Sequence, residues 1–454
     1  MKSSFVYLKT RLWRSWWLCW GLLACSAAAQ ATNVHQFMLP NGMTLIVQPD
    51  RRAPTVLHMV WVRAGSIDEV DGRSGLAHIV EHMLFKGTPS LGEGEFSRRV
   101  AAMGGRDNAF TSRDVTVYHQ QIPAHRLPDV MKLEADRFSR NQWPDDAFVR
   151  EMGVIKEERR QRVEESPQAR MFEVFNAQAW MAHPYRRPII GWMSDLESMT
   201  PADVRDFYRQ WYMPANAAVV VVGDVEPDAV YRMALQHYGR IPARAVPERK
   251  PQTEPVQHGV RRVHYHGRVQ QPLLVMGYKA PKLKHPESDD EASRDAVALM
   301  LLSGVLNGHS AARLERELVQ TRVASQVNAH FGVTSRGPLM FSLSASPAQG
   351  VSPEALELEI KKVLQRVAEQ GVTEAELNRV KNQWAASEVF KLDSAFAQAR
   401  ELGTYWALGW PLNSMELLMQ RLRQVQPADV QRVARKYVLD SQLTVGLLLP
   451  EVQP

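Results

Sequence analysis
The sequence predicts an α+β fold built from two homologous halves. Each is a mostly antiparallel sheet with helices packed on one face, and a Pro-rich linker joins them. Length is the first observation: about 420 residues remain after an N-terminal leader, too many for one ordinary core and suited to two. The second is residues 241–258 (IPARAVPERKPQTEPVQH), which hold four prolines and almost no apolar periodicity. The third is an internal echo. Pro201-Ala202-Asp203-Val204-Arg205 recurs 226 residues later as Pro427-Ala428-Asp429-Val430-Gln431, and each copy opens an amphipathic helix followed by an apolar strand, at 218–222 and 443–449. The division that follows is a leader at 1–31, an N-terminal half at 32–241, a linker at 242–258 and a C-terminal half at 259–454.

The leader reads as a secretory signal. Lys2, Lys9, Arg11 and Arg14 come with no acid, the apolar stretch at 16–29 is short for a bilayer span, and Ala29-Gln30-Ala31 offers a small-x-small cleavage site. A competing reading takes Leu22-Leu23-Ala24-Cys25 as a lipoprotein box, which would anchor the chain through Cys25. In both cases the mature chain is expected in the periplasm, with no transmembrane span. Removing the leader's four bases lowers the formal net charge from +6 to +2, so the basic balance no longer argues for nucleic acid as a partner. Both cysteines, Cys19 and Cys25, leave with the leader. Site chemistry in the mature chain must therefore rest on histidine and carboxylate.

The elements follow in order. Residues 37–39 and 43–47 flank Pro40-Asn41-Gly42, a hairpin signal. Residues 55–62 alternate and are β-branched, a strand that leads into a loop at 65–75. Residues 96–103 read as a helix closed by Gly104-Gly105, and 111–121 (TSRDVTVYHQQ) alternate as one strand. Residues 127–141 and 144–162 read as helices, with Pro128 tolerated in a first turn. In the second half, 298–306 is a plainly apolar helix.

The chemistry concentrates in residues 75–88, GLAHIVEHMLFKGT. Leu76, Ile79, Val80, Met83 and Leu84 give it the apolar face of a helix, bounded by Gly75 and Gly87. His78 and His82 are four apart, so both rings project from one face about a turn from each other. Two imidazoles so placed can bind one zinc ion at Zn–N distances of about 2.0–2.1 Å. Glu81, at the edge of that face, can polarise a water without ligating the metal. The alternative is a helix with surface histidines, but the polar residues cluster on one side of an apolar helix, and burying them calls for a partner.

A catalytic zinc takes three protein ligands and leaves one position open. The helix at 148–162 (FVREMGVIKEERRQR) is the best source of the third. Glu151, Glu158 and Glu165 recur every seven residues and share a stripe, while Glu157 lies about 100° away. Spacing leaves equally open an exposed acidic helix paired with Arg159, Arg160 and Arg162.

With these motifs in hand, the sequence resembles the pitrilysin/insulinase family of zinc metallopeptidases, the class with the inverted H-x-x-E-H motif. The resemblance is strong over 33–240 and weaker after 262. It rests on GLAHIVEHMLFKGT, GGRDNAFTSRDVTVYHQQ, EMGVIKEE, HPYRRPIIGWMSDLESMT and WYMPANAAVVVVGDV in the family's order. It implies two clam-like halves, one zinc ion per chain held by His78, His82 and Glu158, and Glu81 as catalytic base. Glu157 is the runner-up for the third ligand, and Glu151 is implied to orient a ligand histidine. Asn108, Ala109, Phe110 and Thr111 match an edge strand on which extended peptide substrate lies by β-augmentation; from the residues alone, Asn108 reads as a turn. The implied activity is endopeptidase cleavage of peptides or unfolded segments, Glu81 taking a proton from the attacking water and passing it to the leaving amine.

The chain also departs from the family pattern. Many active relatives add an Arg and a Tyr from the C-terminal half. The corresponding stretch here, 314–327 (LERELVQTRVASQV), has no Tyr, the aligned positions fall near Val319 and Ser325, and Arg316 or Arg322 lacks such a partner. The resemblance then implies a heterodimer whose paralogous sister chain supplies the Arg/Tyr pair. A homodimer or a chain working alone is the alternative, with a loss of about 10²–10³ in rate per missing donor. A catalytically silent assembly or adaptor protein on the same fold is the competing function. It is opposed by the presence of His78, Glu81, His82 and Glu158 together.

Overall fold
The computed structural model describes residues 34–451; the leader with its cleavage and lipidation motifs lies outside the described residues. Eleven strands form two sheets. The first comprises β1 (His35–Met38), β2 (Thr44–Pro49), β3 (Thr55–Val62), β4 (Arg106–Thr111), β5 (Thr116–Pro123) and β6 (Ala217–Gly223), in the order β1-β2-β6-β3-β5-β4. The second comprises β7 (Arg261–Gly267), β8 (Leu273–Ala280), β9 (Ala324–His330), β10 (Leu339–Pro347) and β11 (Leu443–Pro450), in the order β7-β11-β8-β10-β9. Without β1 the two orders superpose strand for strand. Each sheet is antiparallel except for one parallel pair, β2 with β6 and β7 with β11. The sequence echo marks corresponding helices, Pro201–Trp211 and Pro427–Tyr437. Both open with a capping box in which an Asp three residues on bonds back to the cap.

Strand alternation explains the layers, because successive side chains point to opposite faces. Leu45, Val47, Val60, Tyr118 and Val219 pack into the core formed with helices of their own half. Ile46, Leu57, Met59, Trp61 and Val220 face the other way, and helix Ala395–Leu408 from the second half covers them with Ala399, Leu402 and Trp406. The approach is close: a Cβ on Gly403 would meet the Trp61 ring at 2.0 Å, so only glycine fits there. The reverse arrangement holds on the other side. Helix Pro167–Ala179 from the first half lays Met171, Phe175 and Ala179 on Leu273, Val275 and Leu448 of the second sheet. The helices expected on one face are present, and the opposite face of each sheet is closed by a helix exchanged from the other half.

Residues 242–258 form neither helix nor strand, yet they are pinned along their length. Arg249 pairs with Asp68 at 2.6 Å, and Glu254 accepts from Lys279 at 2.7 Å and from the backbone amides of Met181, Ala182 and His183. Gln257 donates to the Leu443 carbonyl.

Three expectations are corrected. Residues 111–121 are not one strand: β4 ends at Thr111, and the Ser112 hydroxyl, accepting from the amides of Asp114 and Val115, turns the chain into β5. The helix expected over 144–162 is α-helical over Asp145–Arg159 and then widens into a π turn, Arg160–Glu164. The added width breaks the seven-residue stripe, and Glu165 falls outside the helix as an exposed residue. The apolar helix expected at 298–306 begins earlier and spans Glu291–Leu306.

Candidate metal centre
Helix Leu76–Met83 follows β3 and buries Leu76, Ile79, Val80 and Met83 in the first core. Its N-terminus is held by a residue that periodicity does not flag: the buried Glu69 carboxylate accepts from the amides of Gly75 and Ala77. The helix is thereby fixed at the end from which His78 projects. The rings of His78 and His82 stand 4.6 Å apart, centre to centre.

Glu158, near the end of helix Asp145–Arg159, is brought to both rings. Its Oε2 lies 3.6 Å from His78 Nε2 and 3.5 Å from His82 Nε2. That oxygen is buried and has no hydrogen-bond partner among the described residues. These three side chains form the one group of histidine, cysteine and acidic residues among the described residues whose ligand atoms all fall within 4.8 Å of one another. Tetrahedral zinc with bonds near 2.0–2.1 Å sets neighbouring ligand atoms about 3.3 Å apart, so the donor set fits such an ion. Glu157 is turned away, pairing with Arg160 at the surface.

Glu151 lies against the other nitrogen of His82, with Oε1 2.8 Å from Nδ1. A proton on Nδ1 leaves the Nε2 lone pair aimed at Glu158. Lys86 holds the second oxygen of Glu151 at 2.5 Å, and Arg162 holds Glu158 Oε1 at 2.6 Å. Lys86 was missed in the sequence, where nothing local ties it to Glu151, 65 residues on; Arg162, read there as a partner of an exposed acidic helix, sits four residues after Glu158. Burial opposes charge on His82, but the hydrogen bond to Glu151 and the nearby Glu158 carboxylate push its imidazole up to about 9. His78 is pushed the opposite way by burial and by His82.

Glu81 stands on the same helix with its Oε2 accepting from the Thr111 hydroxyl at 2.5 Å. Burial raises its carboxyl above the ordinary range, against the Thr111 hydrogen bond. Thr111 ends β4, the edge strand of the first sheet, and Asn108, Ala109 and Phe110 lie in that strand beside the same cleft. Asn108 is a strand residue and not a turn residue. The cleft, about 960 Å³, is lined by residues between His78 and Ile190, all from the first half.

The comparisons agree with this architecture. Residues 44–192 match the family model described as Insulinase (Peptidase family M16), and residues 198–384 match the one described as Peptidase M16 inactive domain. A relative named Zinc protease PqqE from Helicobacter pylori is 32% identical over 422 residues, which cover 91% of this chain and 92% of that protein. A crystal structure of a protease from Helicobacter pylori superposes with a TM-score of 0.85 at 31% identity, covering 92% of this chain and all of the other. The periplasmic protease PqqL from Escherichia coli shares the fold at a TM-score of 0.76 and 21% identity, and the match covers 92% of this chain but 47% of PqqL. The chain thus belongs to the insulinase family of peptidases, M16.

Proposed function
We propose that the chain is a zinc-dependent metalloendopeptidase that hydrolyses peptides or unfolded polypeptide segments. His78, His82 and Glu158 would hold one Zn²⁺ per chain, and Glu151 keeps His82 in the tautomer that presents Nε2. The observation that carries the reading is the convergence of both Nε2 atoms on the unpartnered, buried Oε2 of Glu158. When bound, zinc would acidify water and polarise a peptide carbonyl.

The chain's own residues do the rest. The free edge of β4 offers backbone groups to an extended peptide, with Asn108, Ala109, Phe110 and Thr111 setting its register. Glu81 accepts a proton from the water as its oxygen bonds to the carbonyl carbon, then delivers that proton to the amine nitrogen as the C–N bond breaks. Thr111 donates to the Glu81 carboxylate and holds its orientation. A second chain is expected to complete the site. The chain's 314–327 segment lacks the Arg/Tyr pair, so a heterodimer with a paralogous chain that supplies it is favoured over a homodimer. The longer PqqL chain, of which this fold covers under half, supports two such units acting side by side. The location we assign is the periplasm after removal of the leader, with a lipid anchor at Cys25 as the alternative. No helix among the described residues is long and apolar enough to cross a membrane.

The test is Glu81→Gln. The variant is expected to retain zinc, measured by mass spectrometry, and to lose about 10²–10⁴ in peptide hydrolysis. Unchanged hydrolysis would remove Glu81 as the base. The second reading, a silent adaptor, is favoured by the missing Arg/Tyr pair; zinc-free protein after refolding with zinc would select it.

A further inference from the structure
Beside the cleft of the metal centre lies a second cavity of about 620 Å³, walled by both halves. The two share Phe110, Arg113 and Ile189. Arg113 comes two residues after Thr111, the partner of Glu81, in the turn that follows edge strand β4. The cations along the first cleft are otherwise paired: Arg162 with Glu158, and Arg186 and Arg187 with Asp71. Arg113 alone among them forms no ion pair or side-chain hydrogen bond with the described residues. Its guanidinium instead lies over the Tyr185 ring, 5.1 Å from the centroid.

That ring is held rigidly from both halves. The Tyr185 hydroxyl donates to Asp114, lies 2.8 Å from Ser335 Oγ and accepts from the Gly337 amide at 2.9 Å. Asp114, the one acid in the second cavity's wall, is thereby engaged on one oxygen, and the Arg336 amide takes the other at 3.0 Å. It makes no ion pair with Arg113 and acts on that guanidinium only through space, so the fork's N–H groups stay open to a ligand. A second cation, Arg400, also lines this cavity without an ion pair among the described residues, and Trp180, Met340 and Leu408 supply apolar wall. The result is a stacked, pre-oriented guanidinium fork at the junction of two cavities, with a second positive charge beyond it. Such a fork matches a carboxylate.

We infer that Arg113 is a specificity-determining residue that binds a carboxylate of the substrate as the peptide passes from the cleft of Glu81 into the cavity between the halves. The inference rests on the peptidase reading for what the ligand is, but not for its test. The probe is a set of dye-labelled, C-terminally amidated peptides, uncharged except for one Glu scanned along the sequence, with Gln-matched controls. One further Gln peptide carries a free C-terminus. Binding is read by fluorescence anisotropy on full-length Glu81→Gln protein, where no turnover is needed.

At one position or a narrow range, Glu is expected to bind about tenfold tighter than Gln. Arg113→Gln should abolish that difference, Arg113→Lys should keep part of it, and Arg113→Glu should transfer the preference to a Lys peptide. A comparable gain on the free-terminus peptide alone would assign the carboxylate to the chain end instead of a side chain. Equal binding of Glu, Gln and free-terminus peptides at every position overturns the proposal, as does a preference that survives Arg113→Gln. Hydrolysis of the same peptides by the unsubstituted chain separates the two claims. A carboxylate preference without cleavage keeps the Arg113 site and sinks the peptidase; cleavage without preference does the reverse.

Discussion
Helix Leu76–Met83 and helix Glu291–Leu306 follow corresponding strands, β3 and β8, but one borders a cleft and the other is buried nearly throughout. In the first, two histidines face Glu158 across the gap to helix Asp145–Arg159. In the second, Ala296, Val297, Leu299, Leu301 and Leu302 fill the same layer, and the corresponding partner helix Glu374–Lys391 closes on it through Leu377 and Val380. A Cβ on Gly304 would meet Val380 at 2.4 Å, so these helices meet through apolar side chains where the first pair meets through His82 and Glu151. One topology thus carries either a cluster of two histidines and an acid or a dry contact, and the choice lies in a few side chains on two helices. The second half spends the position on packing, which fits the role of a scaffold for the first.

Two substitutions test that contrast and a third tests the strap that joins its two sides, taken from the largest effect down. Glu158→Ala should abolish stoichiometric zinc and hydrolysis together, a loss greater than the roughly 10–100-fold that removal of an outer partner costs. Full zinc content in the purified variant would show that the gap is not a metal site. Leu377→Ala in the second half should cost about 2–5 kcal/mol in urea unfolding while leaving bound zinc unchanged. Zinc loss without destabilisation would mean that the halves are not divided in this way.

The third concerns the strap between the halves. Burial works against ionisation of Glu254, but Lys279 and the amides of Met181, His183 and Ala182 hold its carboxyl down at about 2. A depressed acid stabilises the fold above the ordinary carboxyl value and loses that contribution as pH falls through it. The stability gap between the parent and Glu254→Gln is therefore expected to be constant at neutral pH and to narrow from about 4.5 toward about 2. A gap that widens in acid contradicts the assignment.

What the sequence revealed was what is local or repeated. His78, Glu81 and His82 lie within five residues on one helix face, and the Pro-Ala-Asp-Val echo marks corresponding helices. Glu158 was legible only through the family resemblance, because seven-residue spacing put Glu151 and Glu165 on the same stripe. The π turn at Arg160–Glu164, which removes Glu165, leaves no mark in that spacing. The turn between β4 and β5 was masked by the strand-like run Val115-Thr116-Val117-Tyr118, although Ser112 and Asp114 just before it are turn-forming residues. Glu69 and the exchanged helices escaped for different reasons. The exchanged helices act across long stretches of chain, and apolar residues on both sheet faces say that something covers them without saying what; Glu69 acts only six and eight residues on, but across a loop that periodicity does not read.

The crossed placement of Pro167–Ala179 and Ala395–Leu408 gives the molecule the logic of a handshake: each side wears the piece that keeps the other dry. Cutting the chain between them would leave two fragments with bare apolar flanks, driven to find each other again before either could persist in water. A half-length forerunner of this chain would have met the same demand, and a second copy of itself was the nearest source of cover.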